Sequence, residues 1–209
     1  MRRRTIPYDE VKRGSDAVIA TITLLASLPV QVIIATLVAV KLGRPVLFRQ
    51  PRPGLNGQVF TLYKFRTMKT ADPTRGLSTD AERLTPFGRA LRATSLDELP
   101  TLINVIRGDM SLIGPRPLLV SYLDRYTPEQ ARRHDVRPGI TGLAQASGRN
   151  AISWTEKFAL DVYYVDHKSF ALDISILART VKTLLKREGI SAAHSATMPE
   201  FGAGEAGPT

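Results

Sequence analysis

The sequence predicts a helix-rich α/β protein of the α+β type, with a long apolar segment ahead of one small mixed domain. Two observations carry this prediction. The run from Ala17 to Val40 contains no charged residue, and two β-rich stretches, "GRPVLFRQ" and "QVFTLYKFRTM", flank a turn-forming "PRPGLNG". At 209 residues the chain has room for one domain with an appendage.

The apolar run at 17–40 is long enough to cross a bilayer, but two features favour a different path. Pro29 lies near its middle, where a missing donor and a steric clash divide the run into halves that are each too short to span. Lysine and arginine mark the cytoplasmic side of a membrane segment, and they flank both ends of this one: Arg2, Arg3, Arg4, Lys12 and Arg13 before it, and Lys41, Arg44, Arg49 and Arg52 after it.

The sequence therefore predicts a re-entrant helix-break-helix, with Ser27 and Pro29 at the break. A kinked span and a buried core helix remain alternatives. A signal peptide is disfavoured, because no small-x-small cleavage site occupies the usual position.

The domain that follows is predicted to run from residue 44 to residue 190. After the paired strands, helices are expected over "TPFGRALRA", "SLDELPTLINVIRG", "LLVSYLDRY" and "PEQARRH". "SLIGPRP" is interpreted as a tight loop, and "VRPGITGLAQASGRN" as too irregular for a helix. "SWTEKFALDVYYVDHKS" and "ALDISILARTVKTLLKREG" predict two longer helices. The second is amphipathic, with a basic rim suited either to packing on the domain or to lying on anionic lipid.

Residues 1–43 form a basic segment plus the membrane hairpin in this scheme, and residues 191–209 form a disordered tail without periodicity.

Charge and composition restrict the function. The net charge of +10 indicates an anionic partner. The absence of cysteine and the presence of only three histidines exclude thiolate sites and disfavour histidine-rich metal sites, so a bound metal should be hard and oxygen-liganded. Dinucleotide, P-loop, zincin and serine-hydrolase motifs are missing.

Two adjacent carboxylates, Asp97 and Glu98, stand in the stretch "SLDELP". Ser95 is expected to be a helix N-cap and Pro100 to fit the first turn, so the acids could simply satisfy the helix end. They could equally serve as a nucleophile toward phosphorus and as Mg²⁺ ligands, because a helix end and a cation would keep them ionised.

Arginines and lysines surround this pair in turn-rich contexts where side chains can converge. Arg116 lies between two prolines, which restrict its backbone. Guanidinium groups suit phosphate oxygens, and the absence of a recognition helix or stacking motif disfavours nucleic acid. The candidates for binding a diphosphate are Lys64, Arg66, Arg92, Arg107, Arg116, Arg137 and Arg149.

Taken together, several strings resemble the bacterial sugar transferase family, the monotopic phosphoglycosyl transferases of glycoconjugate synthesis. They run in family order from about residue 8 to residue 189: "KRGSD", "LFRQPRPGLNG", "YKFRTM", "LDELPTLINVIRGDMSLIGPRPLL", "RHDVRPGITGLAQASGRNAISW" and "DVYYV". The short chain is most similar to the minimal members, such as those that use UDP-N,N′-diacetylbacillosamine.

The resemblance implies that Asp97 attacks the β-phosphate of a UDP-sugar and releases UMP. Polyprenyl (undecaprenyl) phosphate then takes the phosphosugar at the cytoplasmic face of the bacterial inner membrane. It also implies that Glu98 serves Mg²⁺ and acid–base chemistry. Arg92 and Arg116 would lie near the phosphates, with the nucleotide-sugar pocket lined by Lys64, Arg137, Gln145 and Arg149.

Two positions depart from the family pattern. Leu28 precedes Pro29 where the family has serine, and Leu143 replaces a common tryptophan. A non-catalytic, membrane-anchored protein that binds nucleotide or anionic lipid is the alternative function.

Overall fold

The computed structural model describes residues 8–148, 152–186 and 201. Its first element, α1, is one helix from Tyr8 to Leu42 with Pro29 inside it, so two separate helical halves are not observed. The Ser27 hydroxyl donates to the carbonyl oxygens of Thr23 (2.6 Å) and Leu24 (3.1 Å), and Gln31 Nε2 donates to Ser27 Oγ (2.9 Å). The two bonds from Ser27 satisfy carbonyl oxygens in the turn before Pro29, where the helix lacks one backbone N–H donor.

The apolar surface of α1 faces outward. Only 11% of its most hydrophobic window is buried, which disagrees with a buried core helix. By length and composition α1 could cross a membrane. Its exposed apolar residues extend along the helix: Val18, Ile19, Ile22, Leu25, Leu28, Val30, Val32, Ile33, Leu37 and Val40.

The opposite side of α1 packs on the domain in two clusters. Ala20 joins the first, with Leu102, Val105 and Met110, and Val38 joins the second, with Phe65. The domain therefore holds α1 on both sides of Pro29.

The predicted β-pair is present. Strands β1 (Leu47–Pro53) and β2 (Val59–Phe65) are antiparallel, and their register runs from Leu47 opposite Phe65 to Pro53 opposite Val59. The turn between them contains Leu55–Gly57 in a 3₁₀ conformation.

Short helices connect the sheet to the rest of the domain, as the sequence predicts, although several are 3₁₀ rather than α. Short elements of this kind are common where hydrogen bonding cannot extend over several turns. They are Pro73–Arg75 (3₁₀), α2 (Asp80–Arg83), α3 (Pro86–Ala93), Leu96–Thr101 (3₁₀), α4 (Leu102–Arg107), Val120–Arg125 (3₁₀), α5 (Pro128–Ala131) and Arg132–His134 (3₁₀).

Two short strands and a helix occupy stretches that were expected to be irregular. Strand β3 (Ser111–Ile113) pairs in parallel with β4 (Gly139–Thr141), and α6 runs from Leu143 to Ser147. A Cβ on Gly139 would lie 2.1 Å from the backbone nitrogen of Gly114, so the strand ends approach too closely for any side chain. Gly139 therefore permits close packing of a strand, whereas glycine in the sequence "VRPGITGLAQASGRN" favours the interpretation as a loop.

The two longer helices, α7 (Trp154–His167) and α8 (Phe170–Lys186), close the domain as predicted. In α8, Ile176 is fully buried, whereas Ile174, Leu177 and Val181 are exposed, Ile174 by 68%. The apolar stripe expected on this helix therefore faces away from the protein. Leu143, the replacement for tryptophan, is buried against Tyr164 and Ile176.

Phe201, within the segment predicted to be a disordered tail, is 8% exposed and packs among aromatic side chains. Other residues of 191–209 lie outside the described part of the chain.

A buried ion pair joins α7 to the segment at 132–134. Both side chains are almost inaccessible (1% for Arg133 and 2% for Asp161), and Arg133 Nη2 lies 2.7 Å from Asp161 Oδ2. Arg133 Nη2 also donates to the carbonyl of Arg116 (2.7 Å). The pair therefore supports the loop that carries Arg116.

Replacing Asp161 with alanine should cost about 3–5 kcal/mol of unfolding free energy, because it leaves a buried guanidinium without its counter-charge. Asp166→Ala on the same helix breaks an exposed pair with Arg132 and should cost at most about 1 kcal/mol. Chemical denaturation in detergent measures both. Equal losses would show that the Arg133 pair contributes no more than a surface pair.

Candidate active site

The acid pair lies in the 3₁₀ helix Leu96–Thr101, which continues directly into α4. Ser95 precedes it in the left-handed region (φ 56°) and makes no side-chain capping bond. Pro100 is the fifth residue of this 3₁₀ helix. Ser95 therefore occupies the expected N-cap position but does not cap through its side chain, and the expected first-turn position of Pro100 is wrong, because the helix begins at Leu96.

Strand β2 anchors this turn. Thr101 Oγ1 donates to the carbonyl of Tyr63 (2.8 Å). The fully buried Asn104 donates through Nδ2 to the carbonyl of Thr61 (2.8 Å) and accepts from the N–H of Tyr63 (3.2 Å). These three bonds hold the acid pair at a fixed position beside Lys64, the next residue of β2.

Glu98 is engaged by two cations. Its Oε1 accepts from Lys64 Nζ at 2.5 Å and from Arg116 Nη2 at 3.1 Å. Burial would raise the pKa of Glu98, but the ion pairs with Lys64 and Arg116 outweigh it and lower that pKa to about 2. Glu98 is therefore ionised throughout the physiological pH range.

Asp97 has a different environment. It is 8% exposed, and within the described residues its carboxylate makes no hydrogen bond. Burial, followed by the neighbouring charge of Glu98, raises the pKa of Asp97 to about 6, and Lys64, Arg116 and Arg92 offset part of this rise. The expectation that a helix end would hold both acids firmly ionised is thus correct only for Glu98, where the cause is ion pairing.

Arg92 comes to the site from α3. Its Nε donates to Thr67 Oγ1 at 3.0 Å. Helix α3 lies close to the backbone of Thr67, and this requires glycine at position 88, because a Cβ on Gly88 would lie 1.8 Å from the carbonyl oxygen of Thr67. Arg92 therefore adds positive charge on the Asp97 side of the pair.

Two guanidinium groups hold the backbone of the "GPRP" loop. Arg133 donates to the carbonyl of Arg116, as described above, and Arg52 Nη1 donates to the carbonyl of Pro117 at 3.2 Å. With its backbone held, Arg116 can direct its side chain toward Glu98.

The acid pair opens into a cavity of about 1470 Å³. Charged and polar residues line it near the acids, and exposed apolar residues of α1 and α8 also contribute to its wall. The polar lining includes Lys64, Arg92, Asp97, Glu98, Arg116 and Gln145, and the apolar lining includes Ile19, Phe170, Ile174 and Leu177.

The remaining predicted binding residues differ in their placement. Arg66 lines the cavity, but its guanidinium donates to the carbonyls of Leu42, Gly43 (2.6 Å) and Arg44 (3.1 Å) and so caps the end of α1. Arg137 is absent from the described cavity lining and donates to the carbonyl of Gly108 (2.9 Å) at the end of α4.

Gln145 lines the cavity, and its Oε1 is buried with no partner in the described part of the chain. Arg149 lies outside the described residues. Two of the predicted arginines therefore satisfy helix carbonyls, where substrate contacts were expected.

The cavity residues that sequence reasoning did not assign to the site include Arg52, Trp154 and Lys157. Arg52 and Trp154 each have a buried nitrogen without a partner among the described residues, Nε and Nε1 respectively. Burial lowers the pKa of Arg52 to about 10. Lys157 lies over the Trp154 ring, 4.6 Å from its centroid. Arg52 and Trp154 belong to "LFRQPRPGLNG" and "GRNAISW", two of the strings that resemble the family. The neighbouring sequence, however, contains no signal that distinguishes them from surface residues.

Comparisons with known proteins identify the family. A family model described as "Bacterial sugar transferase" matches residues 7–187. The chain is 52% identical over 192 residues to "Uncharacterized sugar transferase EpsL" of Bacillus subtilis, covering 91% of this chain and 95% of that protein.

Two further relatives carry functional names. "UDP-glucose:undecaprenyl-phosphate glucose-1-phosphate transferase" of Caulobacter vibrioides is 40% identical over 195 residues, covering 86% of this chain and 72% of that protein. "Undecaprenyl-phosphate galactose phosphotransferase" of Salmonella typhimurium is 35% identical over 197 residues, covering 86% and 41% respectively.

The pKa of Asp97 predicts how its removal affects stability. A carboxyl whose pKa rises from 3.8 to about 6 on folding binds protons more strongly in the native state, so its ionisation opposes folding above pH 6. Asp97→Asn should therefore raise the thermal unfolding midpoint at pH 7.5, without Mg²⁺ or substrate, and the gain should disappear below about pH 4.

The matched control is Glu98→Gln, which should lower the midpoint at pH 7.5, because Glu98 ionises with a depressed pKa and pairs with Lys64. Scanning calorimetry in detergent across pH 3.5–8 measures both variants. A lower midpoint for Asp97→Asn at pH 7.5 would contradict the assignment of a destabilising charge to Asp97.

Proposed function

Because the chain belongs to the bacterial sugar transferase family, we propose that it transfers a sugar 1-phosphate from a UDP-sugar to polyprenyl phosphate. The products are UMP and a polyprenyl-diphosphate-sugar, the lipid-linked start of a glycoconjugate such as a polysaccharide or glycoprotein. The names of the Caulobacter and Salmonella relatives support sugar-phosphate transfer to undecaprenyl phosphate. The reaction takes place at the cytoplasmic face of the bacterial inner membrane.

The observation that carries this proposal is the difference between two adjacent carboxylates. Glu98 is held by Lys64 and Arg116, whereas Asp97 makes no hydrogen bond within the described chain and lines the cavity. With a pKa of about 6, Asp97 is mostly ionised at pH 7.5 yet not neutralised by direct pairing. Neighbouring acids in environments that separate their pKa values are typical of sites where the two have different roles.

In the first step a carboxylate oxygen of Asp97 attacks the phosphorus that carries the sugar. A bond forms between this oxygen and phosphorus, and the bond from phosphorus to the bridging oxygen breaks. The bridging oxygen keeps the electron pair and leaves as part of UMP. Arg92 and Arg116 are placed to stabilise charge on the phosphate oxygens, and Lys64 keeps Glu98 from competing for the same phosphorus.

In the second step an oxygen of polyprenyl phosphate attacks the phosphorus bound to Asp97. The aspartyl–phosphorus bond breaks, and its electrons restore the Asp97 carboxylate. Because Asp97 starts and ends each cycle as a carboxylate, the transfer needs no redox partner.

The residues fit a Mg²⁺ ion that is shared with the substrate. No group of three or more histidine or carboxylate ligands occurs in the described residues, so protein side chains do not form a complete cage. Asp97 offers a carboxylate without hydrogen bonds, and Glu98 offers Oε2, because both of its cations bond to Oε1. Mg²⁺ is commonly held by one or two carboxylates plus substrate phosphates, and when bound it would neutralise diphosphate charge.

The contacts of α1 support a monotopic, re-entrant arrangement. Arg13, near its start, donates to the carbonyls of Val105 (2.8 Å) and Ile106 (2.7 Å) in α4, and Arg66 caps its end at Leu42 and Gly43. One small domain thus holds both ends of a helix about 52 Å long. We propose that this charged domain stays on one side of the bilayer, so that both ends of α1 lie at the same face.

The cavity suits the two ends of a polyprenyl phosphate. Its polar part adjoins Asp97 and Arg116, and its wall continues to Ile19, Ile174 and Leu177, which are exposed apolar residues. A lipid phosphate could therefore reach the acid pair while its chain remains against apolar surface. Diffusion along the membrane then replaces a search through water.

Asp97→Asn should abolish UMP release, with a loss on the order of 10³-fold or more, because the amide cannot replace the nucleophile. UMP release is assayed in nanodiscs with Mg²⁺, undecaprenyl phosphate and a panel of UDP-sugars. Asp124→Asn, at an exposed position, serves as the control and should retain full activity. A wild-type protein that binds UDP-sugar but releases no UMP with any of the panel would instead indicate a non-catalytic binding protein.

The first step should also depend on pH. Without acceptor lipid, whose phosphate titrates near pH 6, kcat/KM for a single round of UMP release should fall about tenfold per pH unit below pH 6, because protonation removes the nucleophile. Rapid-quench measurements from pH 4.5 to 8 test this. A profile that stays flat down to pH 4.5 would contradict the role of Asp97.

Topology can be tested directly, because the chain contains no cysteine. Glu10→Cys and Arg44→Cys place single thiols at exposed positions near the two ends of α1. In right-side-out membrane vesicles, neither thiol should react with an impermeant maleimide until the vesicles are permeabilised. In inverted vesicles both should react. Labelling of only one thiol in each vesicle type would establish a transmembrane span and refute the re-entrant arrangement.

A further inference from the structure

Phe201 lies beyond the region matched by the family model, which ends at residue 187. Its side chain is nevertheless buried in a socket of four aromatic residues. The centroid distances from the Phe201 ring are 4.9 Å to Phe158, 5.5 Å to Trp154, 5.6 Å to Tyr122 and 5.9 Å to Tyr126.

The backbone of Phe201 is also bonded to the domain. Its N–H donates to the hydroxyl oxygen of Tyr122 (3.2 Å), and its carbonyl accepts from Arg125 Nη1 (2.9 Å). One aromatic ring and two backbone bonds together make this a specific attachment, since each of the three constrains a different direction.

Two members of the socket also belong to the cavity wall. Tyr122 and Trp154 both line the cavity that contains Asp97. Trp154 stacks on Phe158 at 5.6 Å and carries Lys157 over its ring. Its Nε1 is buried and has no partner in the described residues, as expected for a donor whose acceptor arrives with a ligand. Phe201 thus contacts the back of a wall whose other members contact the substrate space.

We propose that Phe201 is a positioning residue: its ring docks in the socket of Tyr122, Tyr126, Trp154 and Phe158 and thereby fixes Trp154 and Tyr122 on the wall of the cavity that contains Asp97. The inference rests on the proposed transfer reaction for its kinetic part only. Without Phe201 the socket has an aromatic-sized gap on one side, and closely packed rings move into such gaps. Trp154 would then lose the orientation that it has on the cavity wall.

The chain provides its own probe, because Trp154 is the only tryptophan. Phe201→Ala, and a chain ended at residue 190, should both shift Trp154 emission to longer wavelength and increase its quenching by acrylamide. A chain ended at residue 204, which keeps Phe201, and Phe201→Tyr, which keeps the ring, should both match the wild type. Unchanged emission and quenching in Phe201→Ala would overturn the docking.

Kinetics separate positioning from a purely structural role. In Phe201→Ala the KM for UDP-sugar should rise about tenfold with a smaller change in kcat, because the acid pair itself remains anchored to β2. Phe201→Tyr should restore the wild-type KM. A shifted emission with unchanged KM would overturn the positioning role.

The failure of the proposed reaction remains distinguishable from the failure of this inference. A wild-type protein that releases no UMP would remove the proposed reaction, and with it the kinetic role of Phe201. The emission comparison would still decide whether the tail docks.

Discussion

The double ion pair on Glu98 is the interaction on which the candidate site depends. Lys64 from β2 and Arg116 from the "GPRP" loop both bond to the same oxygen, so three separate parts of the chain meet at one carboxylate. The pairing satisfies Glu98 and leaves Asp97, its neighbour, next to a second negative charge in a buried position. Two residues adjacent in sequence thereby acquire pKa values of about 2 and about 6. The ion pairs on Oε1 of Glu98 thus distinguish the environments of two adjacent acids.

This ion pairing requires that the acid-bearing turn, β2 and the "GPRP" loop keep fixed relative positions. Hydrogen bonds to backbone carbonyls provide most of this constraint. Thr101 and Asn104 bond the acid-bearing turn to β2, while Arg133 and Arg52 bond the two carbonyls of the loop that carries Arg116. Arg133 can do so because Asp161 holds it in the interior. Buried side chains other than Arg116 itself thus determine where Arg116 lies, which explains why a short, irregular fold can still present a precise site.

Sequence reasoning predicted the strand pair, α3, α7 and α8, because each of these rests on local signals. The roles of Asp97 and Glu98 stay predictions: their local signal also fits a helix start, and only the family resemblance favoured catalysis. Sequence reasoning missed β3, β4 and α6, whose pairing depends on glycines that meet across the fold. It also assigned Arg66 and Arg137 to substrate, whereas they bond to carbonyls at the ends of α1 and α4. A fold built from short helices leaves many C-terminal carbonyls without partners, and guanidinium groups satisfy them. Some of the basic residues that give the net charge of +10 therefore stabilise the fold. A sequence motif does not distinguish such residues from those that bind phosphate.

The same contacts connect the site to the membrane. Arg13 and Arg66 bond the two ends of α1 to α4 and to the end of β2, and these elements also carry or adjoin the acid pair. The position of α1 and that of Asp97 are therefore linked within the protein, because these connections are short. The exposed apolar stripe of α8, which includes Ile174 and Leu177, adds a second apolar surface on the cavity wall and restricts rotation about α1. In the proposed reaction, these two apolar surfaces would face the membrane. A lipid phosphate would then reach the acid pair from the membrane side, and the nucleotide sugar would enter from the aqueous side.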